Sequence, residues 1–137
     1  MGYPGGCSIG ARPVDQQLKA FRAMGAEVEE RGAKITAKGN MRGAQVFFDR
    51  ITVGGTINAM LAAAKSEGST ILYNAAREPH VVDLANFLNS MGCRVRGAGT
   101  DTIRVTGARR LHGSTYTVIP DQIETGPLMS AAAATGP

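Results

Sequence analysis

The chain has 137 residues, a length typical of one compact domain, and 43% of them are hydrophobic while 19% are charged. This balance excludes a disordered chain, and no apolar run approaches the roughly 20 residues that span a membrane. The formal net charge of +4 favours anionic partners, but the lysines and arginines are scattered singly, so we expect no nucleic-acid partner. Two cysteines make no disulfide framework, and no signal peptide is visible, which predicts a cytoplasmic protein.

The first half of the chain opens with a glycine-rich loop over residues 1–12. Pro13 then begins a predicted helix that has Val14, Leu18 and Phe21 on one face and ends at Gly25. Short strands are predicted around Val28, around Ile35, and at Val46 and Phe48. A second helix is predicted from near Gly54 to Lys65, with an apolar stripe of Ile57, Leu61 and Ala64. Gly68 ends it, and residues 70–73 follow as a buried strand.

The second half repeats this order. Pro79 begins a predicted helix with a stripe of Val81, Leu84 and Leu88 that ends at Met91-Gly92. Strands are predicted around Val95, from Ile103 to Val105, and from Tyr116 to Ile119. An alanine-rich helix from about Thr125 to Ala134 closes the chain before Gly136.

Two copies of one structural unit explain this recurrence. Met24-Gly25 reappears as Met91-Gly92 67 residues later, and Gly68 reappears as Gly136 after 68 residues. We therefore predict an α+β fold with two helix-strand-strand-strand-helix units, over residues 13–78 and 79–137. The helices are expected to pack together with the sheets outside them.

The two cysteines have different surroundings in the sequence. Cys93 follows a helix end and enters a strand, which is typical of a small core residue. Cys7 lies among glycines, with Arg12 nearby and a helix start at Pro13, and both features favour a reactive thiolate. Spacing alone does not distinguish a reactive Cys7 from an incidental exposed cysteine. His80 and His112 lack the spacing of metal ligands, so no metal site is predicted.

Five motifs in order carry a resemblance to a known family. They are residues 4–15 (PGGCSIGARPVD), 52–56 (TVGGT), 74–79 (NAAREP), 97–100 (GAGT) and 120–126 (PDQIETG). Together they resemble the bacterial UDP-N-acetylglucosamine enolpyruvyl transferases of peptidoglycan synthesis. The resemblance implies an inside-out α/β barrel, with helices inside and sheets outside. It also implies transfer of the enolpyruvyl group of phosphoenolpyruvate to the 3′-hydroxyl of UDP-N-acetylglucosamine, without any cofactor.

The resemblance also implies roles for individual residues. Cys7 matches the cysteine that donates a proton to phosphoenolpyruvate, forms an adduct with it, and is alkylated by fosfomycin. Arg12 matches an arginine that contacts the phosphate-bearing substrates. The remaining substrate-binding matches are a uridine stretch, Arg12, Pro13, Val14, Asp15 and Gln16, and a diphosphate stretch, Arg50, Ile51, Thr52, Val53 and Gly54. Each stretch adjoins a predicted helix N-terminus, where the helix dipole favours phosphate, although Thr52 alone reads as a plain N-cap.

Several residues depart from the family motifs. His80 stands where the family has an acidic residue, Gln122 where it has arginine, and Pro127 where it has threonine. Family members are longer, with two domains of such units, so we expect the chain alone to be inactive and to self-associate through an uncovered apolar face. Two alternatives remain: a fragment of the related shikimate-pathway transferase, and a non-enzymatic binding module. The lack of an aromatic cluster in the sequence weakens the second.

Overall fold

The structure is a computed structural model that describes residues 13–32 and 34–136. The glycine-rich loop with Cys7 and Arg12 lies outside the described residues. The helices are α1 (Asp15–Ala23), α2 (Val53–Ala64), α3 (Pro79–Ser90) and α4 (Gln122–Thr135). The strands are β1 (Glu27–Arg31), β2 (Lys34–Lys38), β3 (Gln45–Phe47), β4 (Ser69–Tyr73), β5 (Arg94–Arg96) and β6 (Thr102–Thr106). This mixture confirms the α+β class.

Two sheets organise the fold. Strands β1 and β2 form an antiparallel hairpin, and the other four strands form a sheet in the order β3-β4-β6-β5. In that sheet β3 runs parallel to β4, whereas β4 with β6 and β6 with β5 are antiparallel. The inward side chains of the sheet and the helices α1, α2 and α3 bury one continuous core that includes Met24, Met60, Leu72, Val81 and Ile103.

Helix α2 lies at the centre of the core, and its buried face agrees only in part with the predicted stripe. Ala64 is buried and Ile57 packs against the core, but Leu61 does not. The buried residues are Gly55, Thr56, Ala59, Met60, Ala63 and Ala64, while Leu61 is 46% exposed. Small residues face inward because α1, α3 and the sheet approach α2 closely. At Gly55, for example, an added Cβ would lie 2.5 Å from Thr52 Cγ2 and 3.4 Å from the Cβ of Gln16 on α1. Close backbone approach, rather than side-chain size, thus decides which face is buried.

The glycines at the ends of α1 and α3 support the internal repeat. Gly25 and Gly92 have φ angles of 93° and 94°, in the left-handed region where a glycine ends a helix without strain. The predicted helix ends are therefore confirmed. An antiparallel strand pair follows in each case, β1 with β2 and β5 with β6. Helix α1 itself begins at Asp15, two residues after the predicted start at Pro13.

The prediction of a third strand in the second unit, from Tyr116 to Ile119, is wrong. Residues 107–121 contain no regular element and run across α3, where the Tyr116 hydroxyl donates to Asp83 Oδ1 at 2.8 Å. The corresponding strand of the first unit, β3, takes its hydrogen bonds from β4, which follows α2. Within residues 34–136 no strand follows α4, so the segment has no equivalent partner.

Helix α4 also departs from the expected packing. It begins at Gln122, where the Asp121 side chain accepts from Ile123 N at 2.8 Å, and it continues through Pro127. Its described residues are all exposed, including Ile123 at 78%, Leu128 at 65% and Met129 at 67%. The prediction that the helices pack together therefore holds for α1, α2 and α3 but not for α4.

One edge of the four-stranded sheet is closed by a side chain. Val95 of the edge strand β5 donates its backbone N–H to Asn89 Oδ1 at 2.7 Å, and its carbonyl accepts from Asn89 Nδ2 at 3.1 Å. A single amide thus satisfies both outward-pointing backbone groups of the middle residue of β5.

None of the helices in the described ranges is both long enough and apolar enough to cross a bilayer.

Candidate functional site

The two predicted nucleotide stretches meet in space. The first enters α1, and the second connects β3 to α2, so Gln16 and Asp49 lie 33 positions apart in the sequence. The buried Gln16 side chain joins them: its Oε1 accepts from Asp49 N at 3.0 Å, and its Nε2 donates to Asp49 Oδ2 at 3.2 Å. The start of α1 therefore lies against the loop that precedes α2.

Two ion pairs surround this amide. Arg50 pairs with Asp15, and Lys19 Nζ lies 2.5 Å from Asp49 Oδ1. The pKa of Asp15 is lowered from its ordinary value, first by the hydrogen bond from Gln16 and then by Arg50, while partial burial acts against both. The pKa of Asp49 is lowered chiefly by the hydrogen bond from Lys19 and next by the one from Gln16. Both carboxyls are thus ionised at neutral pH, and each charge has a partner.

The N-terminus of α2 is formed as the sequence predicts. Thr52 is extended, with φ −147° and ψ 122°, and its Oγ1 accepts from Gly55 N at 3.3 Å. This confirms Thr52 as an N-cap. The N–H groups of Val53 and Gly54 come at the start of the helix, where they have no acceptor within it and the dipole is positive. The first turn of α2 is therefore suited to an anion.

The other predicted residues lie around this turn. Ile51 is 56% exposed, Pro13 is exposed, and Val14 is half-buried as the N-cap of α1. An added Cβ at Gly54 would lie 3.2 Å from Gln17 Nε2, so this glycine keeps α1 and α2 close together. Cys7 and Arg12 lie outside the described residues. The described part of the site is an open surface, which could contact one side of a ligand.

Sequence reasoning missed Asp49 and Lys19, which complete the network. Asp49 directly precedes Arg50 and Lys19 follows Gln16 closely, but neither belongs to a motif, and their pairing depends on α1 lying beside the β3–α2 loop.

His80 and Gln122 both depart from the family motifs. In the structure they are neighbours, with Gln122 Nε2 3.4 Å from His80 Nδ1. The two side chains thus meet where the family motifs carry an acid and an arginine.

A recess of about 780 Å³ lies at the opposite end of α2. Its lining includes Leu61, Lys65 and Glu67, next to the helix C-terminus. Arg42 and Lys65 favour an anion there, whereas the Glu67 carboxylate and the negative end of the helix dipole oppose one.

In the described ranges, no group of three or more histidine, cysteine, aspartate or glutamate residues could hold a metal ion. Cys93, the free cysteine among the described residues, is buried, and burial raises the pKa of its thiol. Its Sγ donates to Thr106 O at 3.4 Å. The interpretation of Cys93 as a core residue is confirmed.

Comparisons with known proteins agree with this architecture. The chain is 60% identical over 135 residues to UDP-N-acetylglucosamine 1-carboxyvinyltransferase 3 of Caldanaerobacter subterraneus, and 60% identical over 134 residues to the UDP-N-acetylglucosamine 1-carboxyvinyltransferase of Clostridium botulinum. Each match covers 97% of this chain and 32% of the relative. The chain therefore spans about a third of the length of the curated relatives it matches.

Solved structures share the fold. The enolpyruvyl transferase NikO from Streptomyces tendae superimposes with a TM-score of 0.76 at 22% identity, over 89% of this chain and 32% of that one. An EPSP synthase from Acinetobacter baumannii gives 0.70 at 22% identity, over 89% of this chain and 28% of that one. The family model of EPSP synthase (3-phosphoshikimate 1-carboxyvinyltransferase) matches residues 1–137. The chain thus belongs to the EPSP synthase family of enolpyruvyl transferases.

Proposed function

We propose that this chain is the part of a UDP-N-acetylglucosamine enolpyruvyl transferase that carries the catalytic cysteine and one wall of the nucleotide site. The whole enzyme transfers the enolpyruvyl group of phosphoenolpyruvate to the 3′-hydroxyl of UDP-N-acetylglucosamine and releases phosphate, a committed step of peptidoglycan synthesis. The observation that carries the proposal is the meeting of Asp15–Gln16 with Arg50–Gly54 at the start of α2. Identity of 54–60% with relatives of that name supports the choice over the shikimate-pathway alternative.

The proposed chemistry is an addition followed by an elimination. In the addition, the methylene carbon of phosphoenolpyruvate gains a proton, the sugar 3′-oxygen bonds to the adjacent carbon, and the 3′-hydroxyl proton passes to a base supplied by the rest of the enzyme. In the elimination, the new methyl group loses a proton and phosphate leaves, which restores the double bond. Cys7 is the proposed proton donor and adduct-forming residue, and such an acid works best with a pKa near the working pH. Arg12 is proposed to contact the phosphate-bearing substrates.

The described residues suggest how a diphosphate would be held. Arg50 is paired with Asp15, and both side chains are about half exposed. A diphosphate at the first turn of α2 would offer Arg50 a second anion beside the helix N–H groups of Val53 and Gly54. Arg50 would then turn from Asp15 to phosphate. Gln16 stays fixed by Asp49 and keeps α1 in place during this exchange.

Fosfomycin provides a direct test of the cysteine assignment. After incubation of the 137-residue chain at pH 7.5, we expect peptide mass spectrometry to find one adduct, on Cys7, and none on Cys93. The reason is that Cys93 is buried and its thiol has a raised pKa, so little of it is thiolate at this pH. Phosphate release from the two substrates is expected to stay at background.

A Cys7→Ser variant is the matched control and should take up no label at all. Iodoacetamide, a general thiol reagent, shows whether Cys7 is accessible. Labelling of Cys7 by iodoacetamide but not by fosfomycin would contradict the proposal that the loop retains its specific reactivity. Robust phosphate release by the chain alone would contradict its role as one wall of a larger site.

We also propose that the chain self-associates through α4. This helix has Gly126 and Pro127 in its interior and no buried residue, so its own hydrogen bonds stabilise it weakly. Leu128 and Met129 expose most of their surface, and Val118 and Ile119 add further exposed apolar area in the preceding segment. Burying these side chains against a second copy would remove them from water.

Sedimentation velocity from about 5 to 200 µM checks this proposal. We expect the sedimentation coefficient of the chain to rise with concentration, because association follows mass action. Leu128→Glu should return it to the monomer value, since a charge at an apolar contact is costly to bury. Ser130→Glu, which adds the same charge on the same exposed helix, should leave association nearly unchanged. A monomer at every concentration, or equal effects of the two variants, would sink the proposal.

A further inference from the structure

The outer face of the four-stranded sheet is basic. Alternate residues of each strand point away from the core, and the outward residues of β5 and β6 include Arg94, Arg96 and Arg104, all exposed. Strands β3 to β6 contain no aspartate or glutamate. None of the three guanidinium groups has an ion pair among the described residues. The face therefore presents three unneutralised positive charges.

The register places these charges together. Arg96 lies directly opposite Arg104 in the β5–β6 ladder, and Arg94 lies two residues before Arg96 on the same face. The three arginines and Thr106 line a recess of about 200 Å³. Like charges that face each other across two strands destabilise a sheet. An anion bound between them would relieve this repulsion, and guanidinium groups are well suited to phosphate.

Aromatic rings occupy the same face beside the arginines. Phe47 of β3 is 56% exposed and stacks on Tyr73 of β4, with ring centroids 4.3 Å apart and planes 9° from parallel. A second recess of about 440 Å³ runs from Tyr73 and Ile71 to Arg96 and Arg104. Neighbouring strands lie about 4.8 Å apart, and β3 is three strand spacings from β5, so Phe47 lies roughly 14 Å from the β5 arginines. Phe47 and Tyr73 lie 26 positions apart in the chain and meet only through strand pairing, so the sequence alone shows no aromatic cluster.

We propose that this outer sheet face binds single-stranded nucleic acid, with phosphates at Arg94, Arg96 and Arg104 and a base stacked on the exposed Phe47. A charge cluster alone would fit any polyanion. The stacked aromatic pair favours nucleic acid over an acidic protein segment, because exposed rings beside a basic groove bind unpaired bases without sequence preference. The face is distinct from the proposed Cys7 site and does not depend on it.

Fluorescence anisotropy with a fluorescein-labelled twelve-nucleotide oligouridine tests the proposal. We expect the chain to bind at 50 mM salt with a Kd of about 1–100 µM, in the range of sequence-independent binding. Arg96→Gln/Arg104→Gln should weaken binding at least about tenfold. It should also reduce the slope of log K against log salt by about 1.4, since each neutralised phosphate contributes about 0.7. Phe47→Leu should weaken binding at least about fivefold through lost stacking.

The matched control is Arg109→Gln/Arg110→Gln, which removes two charges from exposed positions outside the sheet. It should change Kd less than twofold. Thermal melts check that the variants fold. The midpoint of Arg96→Gln/Arg104→Gln should be unchanged or raised, because the substitutions remove two opposed positive charges. If this double variant fails to fold, Arg96→Gln alone takes its place. Equal losses in both double variants would overturn the proposal, as would no binding at 100 µM protein. An intact Kd in Phe47→Leu, or competition by polyaspartate as effective as by unlabelled oligouridine, would assign the face to acidic proteins instead.

Discussion

Gly107→Ala is expected to destabilise the chain by about 3 kcal/mol, at the upper end of the usual cost of overpacking. A Cβ at this position would lie 1.8 Å from Ser66 O and 2.9 Å from Ala63 O. Both are backbone atoms at the C-terminal end of α2, so no change of rotamer can make room. The backbone must move instead.

That movement has a second cost. Gly107 N donates to Gly68 O at 3.0 Å, and Ala108 N donates to Ala64 O at 3.0 Å, which caps a carbonyl of the last turn of α2. Each such hydrogen bond contributes about 0.5–1.5 kcal/mol. Displacing residues 107–108 therefore weakens the end of the central helix as well as the loop.

Urea unfolding followed by circular dichroism measures the effect. Gly113→Ala is the control, because a Cβ there meets nothing within 4 Å and the φ angle of Gly113 is not in the left-handed region. We expect it to change the free energy of unfolding by less than about 0.5 kcal/mol. Similar losses in the two variants, or a loss below about 1 kcal/mol at Gly107, would show that the contact with Ser66 is relieved without strain.

Thr56→Val is expected to destabilise the chain by about 2 kcal/mol, although the two side chains have almost the same shape. Thr56 is fully buried in α2, and its hydroxyl donates to Thr52 O at 2.8 Å and accepts from Ala76 N at 3.0 Å. Valine leaves the buried Ala76 N–H without a partner, and an unsatisfied buried donor costs about 1–3 kcal/mol. The first turn of α2 would also lose its tie to the segment before α3.

Thr56→Ser separates the contribution of the hydroxyl from that of the methyl group. It keeps both hydrogen bonds and loses one buried methyl, at a cost of about 1 kcal/mol. Amide hydrogen exchange at Ala76 gives a local measurement: the amide should exchange much faster in Thr56→Val and stay protected in Thr56→Ser. A more stable Thr56→Val variant would mean that water or a backbone shift satisfies Ala76.

Local signals made most element boundaries predictable. Gly25 and Gly92 end helices because the chain turns there through a left-handed conformation, which glycine adopts without strain, so the residue type itself is the signal. Thr52 is an N-cap for a similarly local reason. Leu61 was assigned to the wrong face of α2 because this helix is apolar on most sides. Which side is buried depends on how near α1 and α3 come.

Features that depend on distant partners were not predictable. Residues 116–119 alternate like a strand, yet a strand exists only where another strand can bond to it. At the candidate site, the motifs identified Arg50 and Thr52, whereas Lys19 and Asp49 emerged only when α1 was placed beside the β3–α2 loop. The same holds for Phe47 and Tyr73, which form one aromatic surface only because β3 pairs with β4.

The amide of Asn89 determines at which edge the four-stranded sheet can be extended. Because it occupies both outward backbone groups of Val95, a further strand cannot add at β5 without displacing it. The opposite edge, β3, carries no such side-chain clamp among the described residues. Any extension of the sheet by another segment or another molecule is therefore directed to β3, and the β5 edge is protected from the edge-to-edge pairing that begins aggregation.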